Sequence, residues 1–262
     1  MKKSLLLLIL LCLQSLVVSA QEAAPPVAPK DSARKPVILI LRPPITDSPL
    51  AEAWDKGLGK AHDQISTAPG APNDFSRMTP RKVGIHAWMF TKLSDLEKNA
   101  AATAKANPGI RWVWYDLEGG AEFSTAKEYK NPLASVKKAR EICTAHGWKL
   151  GLIPDAGVGM NQAVAVKLAP HLDAFVVQSQ KKQTPKQVAY LRGLAGAMKE
   201  VNPGCLVGAQ LGVGVPEKGY GPPEKAVNFY LQTRDFLDIY SVWWGTPESM
   251  VALLRALDAT GK

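Results

Sequence analysis

Arg111-Trp112-Val113-Trp114-Tyr115-Asp116-Leu117-Glu118-Gly119-Gly120 is an apolar, aromatic run that ends in two carboxylates and two glycines. Side chains alternate along a strand at about 3.3 Å per residue, so Asp116 and Glu118 project from one face as neighbours. A sheet interior solvates charge poorly, which places an acid pair that follows a buried run where a ligand can reach it. Trp112 and Trp114 share strand parity with the acids, and core filling is the expected role of Trp112. Gly119-Gly120 reads as the turn that leaves the strand.

Short apolar runs of the same kind alternate with helical patterns from Pro36 onward, the arrangement of a parallel sheet covered by helices. Strands are expected near Val37–Leu41, Lys82–Met89, Ile110–Leu117, Lys149–Ile153, Ala174–Gln178, Leu206–Leu211 and Ile239–Trp243. Between them, Ser94 followed by Glu97 reads as a capping box. Asn131-Pro132, Thr184-Pro185 and Thr246-Pro247 each set a capping residue before a proline, whose missing N–H costs nothing in a first helical turn. Gly147 reads as a helix stop. Asn107-Pro108-Gly109 and Asn202-Pro203-Gly204 read as turns back into the sheet. Seven readable strands, without a Gly-x-Gly-x-x-Gly or phosphate-loop motif, point to an α/β fold of the (β/α) TIM-like barrel type. The eighth strand is not placed. Between Arg42 and Arg81, Ser48 to Ile65 looks helical and Ser66 to Thr79 looks like an irregular loop.

Residues 1–20 carry Lys2, Lys3, an apolar run from Leu5 to Leu11 and the small-residue exit Val18-Ser19-Ala20, the pattern of a cleaved secretory signal. Export to the periplasm or the exterior is therefore expected, and no later apolar run is long enough for a transmembrane segment. Residues 21–35 are rich in Ala and Pro and read as a flexible spacer, leaving 36–262 as one barrel domain. Without Lys2 and Lys3 the chain holds 30 basic and 23 acidic residues, a net charge of +7 spread through the helices. That balance suits a solvated surface or attraction to an anionic cell wall. Nucleic acid is not expected as a partner, because no basic-aromatic cluster occurs. Cys143 and Cys205, too few for a disulfide framework, read as free buried thiols.

Barrel enzymes build their sites at the carboxyl ends of the strands. The ends read here offer His86 and Trp88, Asp116 and Glu118, Asp155, Gln178 and Gln180, Gln210, and Trp243 with Trp244. Polar groups beside flat aromatic rings suit a sugar, whose hydroxyls need partners and whose C–H faces stack on indole. His86 reads as a barrel or rim histidine in preference to a metal ligand. No His-x-x-x-His, Cys-x-x-Cys or Asp-rich calcium loop is present, so neither a metal nor a cofactor is expected.

Tyr115-Asp116-Leu117-Glu118-Gly119-Gly120 resembles the Asp-x-Glu end of the catalytic strand in family 18 glycoside hydrolases, the chitinases and their relatives. Leu152-Ile153-Pro154-Asp155, Val176-Val177-Gln178, Val207-Gly208-Ala209-Gln210 and Ser241-Val242-Trp243-Trp244 follow in a similar order. Val83-Gly84-Ile85-His86-Ala87-Trp88, a helix and then Asp-x-Glu is similar to the layout of family 25 lysozymes. The resemblance implies an N-acetylhexosamine polysaccharide or oligosaccharide substrate, of chitin or peptidoglycan type. It implies Glu118 as general acid and Asp116 as the assisting carboxylate. His86, Trp88, Asp155, Gln178, Gln210, Trp243 and Trp244 would bind substrate. Arg111 and Trp114 stand where family 18 usually carries two further acids, so the alternative is an inactive barrel that binds glycan or the cell envelope.

Overall fold

A computed structural model describes residues 34–41, 49–67, 84–120, 124–216, 219–243 and 245–260. The leader and nearly all of the spacer lie outside the described residues, as do Trp244 and the start of the strand expected from Lys82. Eight parallel strands close into a barrel in chain order: β1 Val37–Leu41, β2 Gln64–Thr67, β3 Ile85–Phe90, β4 Trp112–Tyr115, β5 Lys149–Leu152, β6 Ala174–Gln178, β7 Leu206–Leu211 and β8 Ile239–Val242, with β8 returning to β1. The helices are α1 Pro49–Ala53, α2 Leu93–Ala106, α3 Ala126–Lys130, α4 Pro132–Ala145, α5 Ala156–Gly159, α6 Gln162–Leu168, α7 Pro185–Val201, α8 Pro223–Thr233 and α9 Pro247–Ala259. This is a (β/α)8 barrel. Among the described residues, no helix is long and apolar enough to cross a membrane.

The missing eighth strand is β2, inside the segment read as helix and loop. Its sequence, Gln-Ile-Ser-Thr, has one apolar residue, so the usual run of a buried parallel strand is absent. The reason lies in the barrel interior. Inward side chains form one cluster, containing Ile38, Ile40, Ala87, Met89, Trp112, Trp114, Ile153, Ala174, Val176 and Ile239. Gln64 is also buried, and its Oε1 accepts a 2.8 Å hydrogen bond from Trp114 Nε1. An indole at the barrel centre needs an acceptor for its N–H, and β2 supplies it.

Trp114 and Trp112 stack at 5.4 Å between ring centroids with planes 8° apart. Their bulk fits because Gly151 lies beside Trp114 in register, where any Cβ would overlap the indole ring. The outward residues Val113, Tyr115 and Leu117 pack into the second cluster, between barrel and helices.

Helix ends follow local chemistry at most of the expected places. The side chains of Asn131, Thr184 and Thr246 accept from Ala134, Gln187 and Ser249 N–H, each with proline at the first helical position. Gly147 takes φ +67° after α4. The Ser94–Glu97 capping box does not form: α2 begins two residues earlier than that box implies, at Leu93, whose N–H donates to Glu128 Oε1 at 2.9 Å. Glu128 also completes a capping box with Thr125 at the start of α3, so one carboxylate caps two helices.

At the amino end of the barrel, Arg34 forks onto Asp63 with hydrogen bonds of 3.0 and 2.7 Å and reaches Asp258 at 2.6 Å. Asp63 also accepts from Val37 N at 2.9 Å and Lys60 N at 2.8 Å. The network ties the entering chain to β1, to the approach to β2 and to the end of α9. Both members of the Arg34–Asp63 pair are almost wholly buried. Removing one partner strands the other charge, so Arg34→Ala should lower unfolding free energy by about 3–5 kcal/mol, and Arg34→Lys should restore only part of it because the fork is lost. Chemical denaturation of the three proteins checks this; a loss below about 1 kcal/mol would show that water replaces the guanidinium.

Candidate active site

Asp116 follows β4 directly. Its N–H donates to Phe90 O at 2.8 Å, which carries the ladder with β3 one residue further and turns the side chain inward above Trp114. The residue is only 7% exposed, and among the described residues no hydrogen bond reaches its carboxyl group. Burial pushes the Asp116 carboxyl well above the usual aspartate range, and the charges of Glu118 and Asp155 push it further the same way. Glu118 stands two residues on and is half-buried; its Oε1 accepts a 2.6 Å hydrogen bond from Gln178 Nε2 on β6.

Asp155 is at the same end but is occupied. Its Oδ1 accepts from Tyr129 Oη at 2.9 Å, Gly157 N at 2.9 Å and Val158 N at 3.3 Å, and its Oδ2 accepts from Gly119 N at 3.2 Å. It therefore caps α5 and ties the loop after β4 to β5. Burial and the Asp155 carboxylate raise the Tyr129 hydroxyl above its ordinary range. Its ring lies against Gly119, where a Cβ would meet it at 3.2 Å. Ser124 makes a parallel tie, its hydroxyl accepting from Glu118 N at 3.3 Å and donating to Thr91 O at 2.7 Å.

Across the barrel, Gln178, Gln210 and Ser241 are aligned in register on β6, β7 and β8. Gln210 Nε2 donates to Ser241 Oγ at 3.2 Å, both residues being buried. Trp243 follows β8, its N–H donating to Leu211 O at 3.1 Å and its side chain packing on the inner cluster. Tyr220 is buried in the loop after β7, and desolvation together with Glu118 raises its hydroxyl above the ordinary tyrosine range.

Asp116, Glu118, Asp155, Gln178, Gln210 and Trp243 thus share the carboxyl end of the barrel. His86 and Trp88 do not join them. The inward parity of β3 belongs to Ile85, Ala87 and Met89; His86 is the second residue of the strand, at the amino end, and Trp88 is buried in the outer layer, edge-on to Trp148 at 6.0 Å. Trp244 lies outside the described residues. Sequence reasoning missed Ser124, Tyr129, Tyr220 and Ser241. Only the Thr-x-x-Glu capping box from Thr125 to Glu128 marks that region in the chain.

Cys143 and Cys205 are free and buried, and burial pushes both thiols up to about 12. Such thiols are poor nucleophiles. Among the described residues, no group of three or more His, Cys, Asp and Glu is arranged to hold a metal ion.

No protein-family model matches the chain. No curated protein matches it either. Solved structures share the fold. The YdjI aldolase from Escherichia coli K12 aligns with a TM-score of 0.52 at 14% identity, over 88% of each chain. An oxidised active mutant of (S)-mandelate dehydrogenase aligns at 0.52 and 10% identity, over 90% of this chain and 80% of its own. A point mutant of the tryptophan synthase alpha-subunit from the hyperthermophile Pyrococcus furiosus aligns at 0.51 and 10%, over 86% and 97%. At these identities the likeness establishes the barrel alone. None of these is a glycoside hydrolase, which overturns the resemblance to chitinases and lysozymes. With it fall the polysaccharide substrate and the glycan-binding alternative. The physical reason is that Asp-x-Glu at a strand end requires only two same-face acids at a barrel mouth. Of the tryptophans expected at that mouth, Trp88 lies in the outer core, and Trp243 is at the mouth, half-buried against the inner cluster.

The raised Asp116 fixes the sign of a pH effect. Below about pH 4, the ordinary aspartate range, the group is protonated whether the chain is folded or not and carries no penalty. Above that the unfolded chain ionises freely while the folded site holds its proton, so stability falls until the pH passes the folded value. Asp116→Asn should therefore match the wild type near pH 3 and be more stable at neutral pH by about 1–3 kcal/mol, the scale of a buried group without a partner. Denaturation at a series of pH values tests this, and an Asn variant less stable at pH 7 would mean that the carboxylate is well partnered.

Proposed function

We propose that this protein is an acid–base enzyme whose Asp116–Glu118 pair moves a proton to and from a small polar molecule seated at the carboxyl mouth of the barrel. The observation that carries the reading is Asp116: a buried carboxyl, with no hydrogen-bond partner among the described residues, beside a second carboxylate held in place by Gln178. Two acids whose surroundings differ this much divide the work of proton transfer. Asp116 keeps its proton to higher pH and donates it. Glu118, more open and oriented by the Gln178 amide, accepts one. Asp155 and Tyr129 hold the loop between them and are positioning residues.

A set of small carbonyl and hydroxy compounds incubated with the protein in D2O, followed by proton NMR, reads turnover and deuterium incorporation together. General acid–base groups contribute about 10²- to 10⁴-fold, so Asp116→Asn and Glu118→Gln should each slow the wild-type rate by that order. The reading is rejected by a wild type no faster than both variants on every compound.

We also infer that the chemistry takes place outside the cytoplasm. The support is the leader pattern of residues 1–20. Protein recovered from the periplasm or medium of its own host should begin at Gln21, and full-length chain confined to the cytoplasm would refute export.

A further inference from the structure

Among the described residues, the buried side-chain polar atoms without a hydrogen-bond partner are Tyr115 Oη on β4, Gln180 Oε1, Gln183 Nε2 and Gln210 Oε1, and the two amide oxygens lie at the β6–β7 side of the mouth. Gln210 is 3% exposed, and while its Nε2 donates to Ser241, its Oε1 has no hydrogen-bond partner among the described residues. Gln180 Oε1, two residues past the end of β6, is likewise buried and unpartnered among them. Gln178 is in register with Gln210 on the neighbouring strand, and Gln180 lies in the turn two residues beyond it. Above Gln210 on β7 comes Gly212, where a Cβ would lie 2.7 Å from Tyr220 Cδ1 and 2.8 Å from Gln180 Cβ. Tyr220 and Gln180 therefore close over the β7 strand directly above Gln210.

Native interiors rarely keep an amide oxygen buried without a partner, because the group has given up water and received nothing for it. Methionine or leucine would fill the same space without that cost. Two such oxygens, one on β7 and one in the turn after β6, close to Gln178, the partner of Glu118, mark a place where the partner arrives with a ligand. A hydroxyl suits it best: it donates to an amide oxygen, and its lone pairs also meet the amide N–H if a side chain turns over. An ammonium group satisfies only one of those orientations.

We propose that Gln210, supported by Gln180, is the specificity-determining residue of the mouth, binding a hydroxyl of a small hydroxylated substrate; this rests on the acid–base reading only in taking the same mouth as the site. Sites built to pair a buried hydroxyl reject the analogue that lacks it, since the protein group is then left bare. The test uses three probe pairs that each differ by one hydroxyl and together span charge: glycolate and acetate, glycolamide and acetamide, ethanolamine and ethylamine. Binding is followed by ligand-detected NMR and by the side-chain amide resonances of full-length protein labelled at glutamine, assigned by through-bond correlation. In at least one pair the hydroxylated member should bind about tenfold more tightly and shift the Gln210 amide. Gln210→Met should abolish the preference and raise the thermal midpoint. Turnover lost in neither acid variant, with the hydroxyl preference intact, would remove the acid–base reading and leave this one standing. Equal binding within all three pairs, no binding of any probe, or a preference that survives Gln210→Met overturns it. Should Gln210→Met fail to fold, the wild-type Gln210 resonance decides, and no hydroxyl-dependent shift refutes the proposal.

Discussion

Closing eight strands into a ring creates an interior that has to be filled, and here one indole does most of that work. Trp114 lies over Gly151, stacks on Trp112 and donates its N–H to Gln64. Each partner is a consequence of the ring's size. The neighbouring strand gives up its side chain, and β2 gives up the apolar pattern that strands of this kind normally show. A closed parallel barrel is a packed core in layers, and the layer set by the tryptophans is the floor for everything at the carboxyl end.

Asp116 stands on that floor. Its carboxyl is raised because what lies beneath is aromatic and dry and what lies beside it is negative. A polar floor would solvate the carboxylate and return it to the ordinary range. The packing of the core and the chemistry of the mouth are thus one arrangement: the bulk that makes the barrel stable also withholds water from the acid. Glu118, one pleat higher, escapes that floor and finds an amide instead.

The β4 segment was legible in the sequence because aromatic residues and acids share a parity, and alternation alone carries both to their places. The prolines at the starts of α4, α7 and α9 were legible because proline and a capping side chain leave few local alternatives. β2 was not, since its inward residues are Gln64 and Ser66 and their partner is 50 positions away in the case of Trp114. Nor was the parity of β3: Ile85 to Phe90 is apolar on both faces apart from His86, and a buried parallel strand shows no alternation from which to tell inside from outside. Ser94 and Glu97 have the spacing of a capping box, but Glu128, from a distant helix, takes the role. The place of the two acids at the mouth was readable. Its supports, Ser124, Tyr129 and Tyr220, come from loops and helix turns whose docking no local pattern encodes.

The ties made by Ser124 and Asp155 join the backbone after β3, the loop after β4 and the start of α5 into one braced arc carrying both acids. Gln178 reaches from β6 to Glu118 in that arc, whereas Gln210 on β7 turns to Ser241 on β8. In the proposed roles, proton transfer rests on β4 and β6 and hydroxyl recognition on β7 and β8. On that reading, a substitution at Gln210 or Ser241 alters what the mouth admits while the hydrogen bonds that brace Asp116 and Glu118 stay in place.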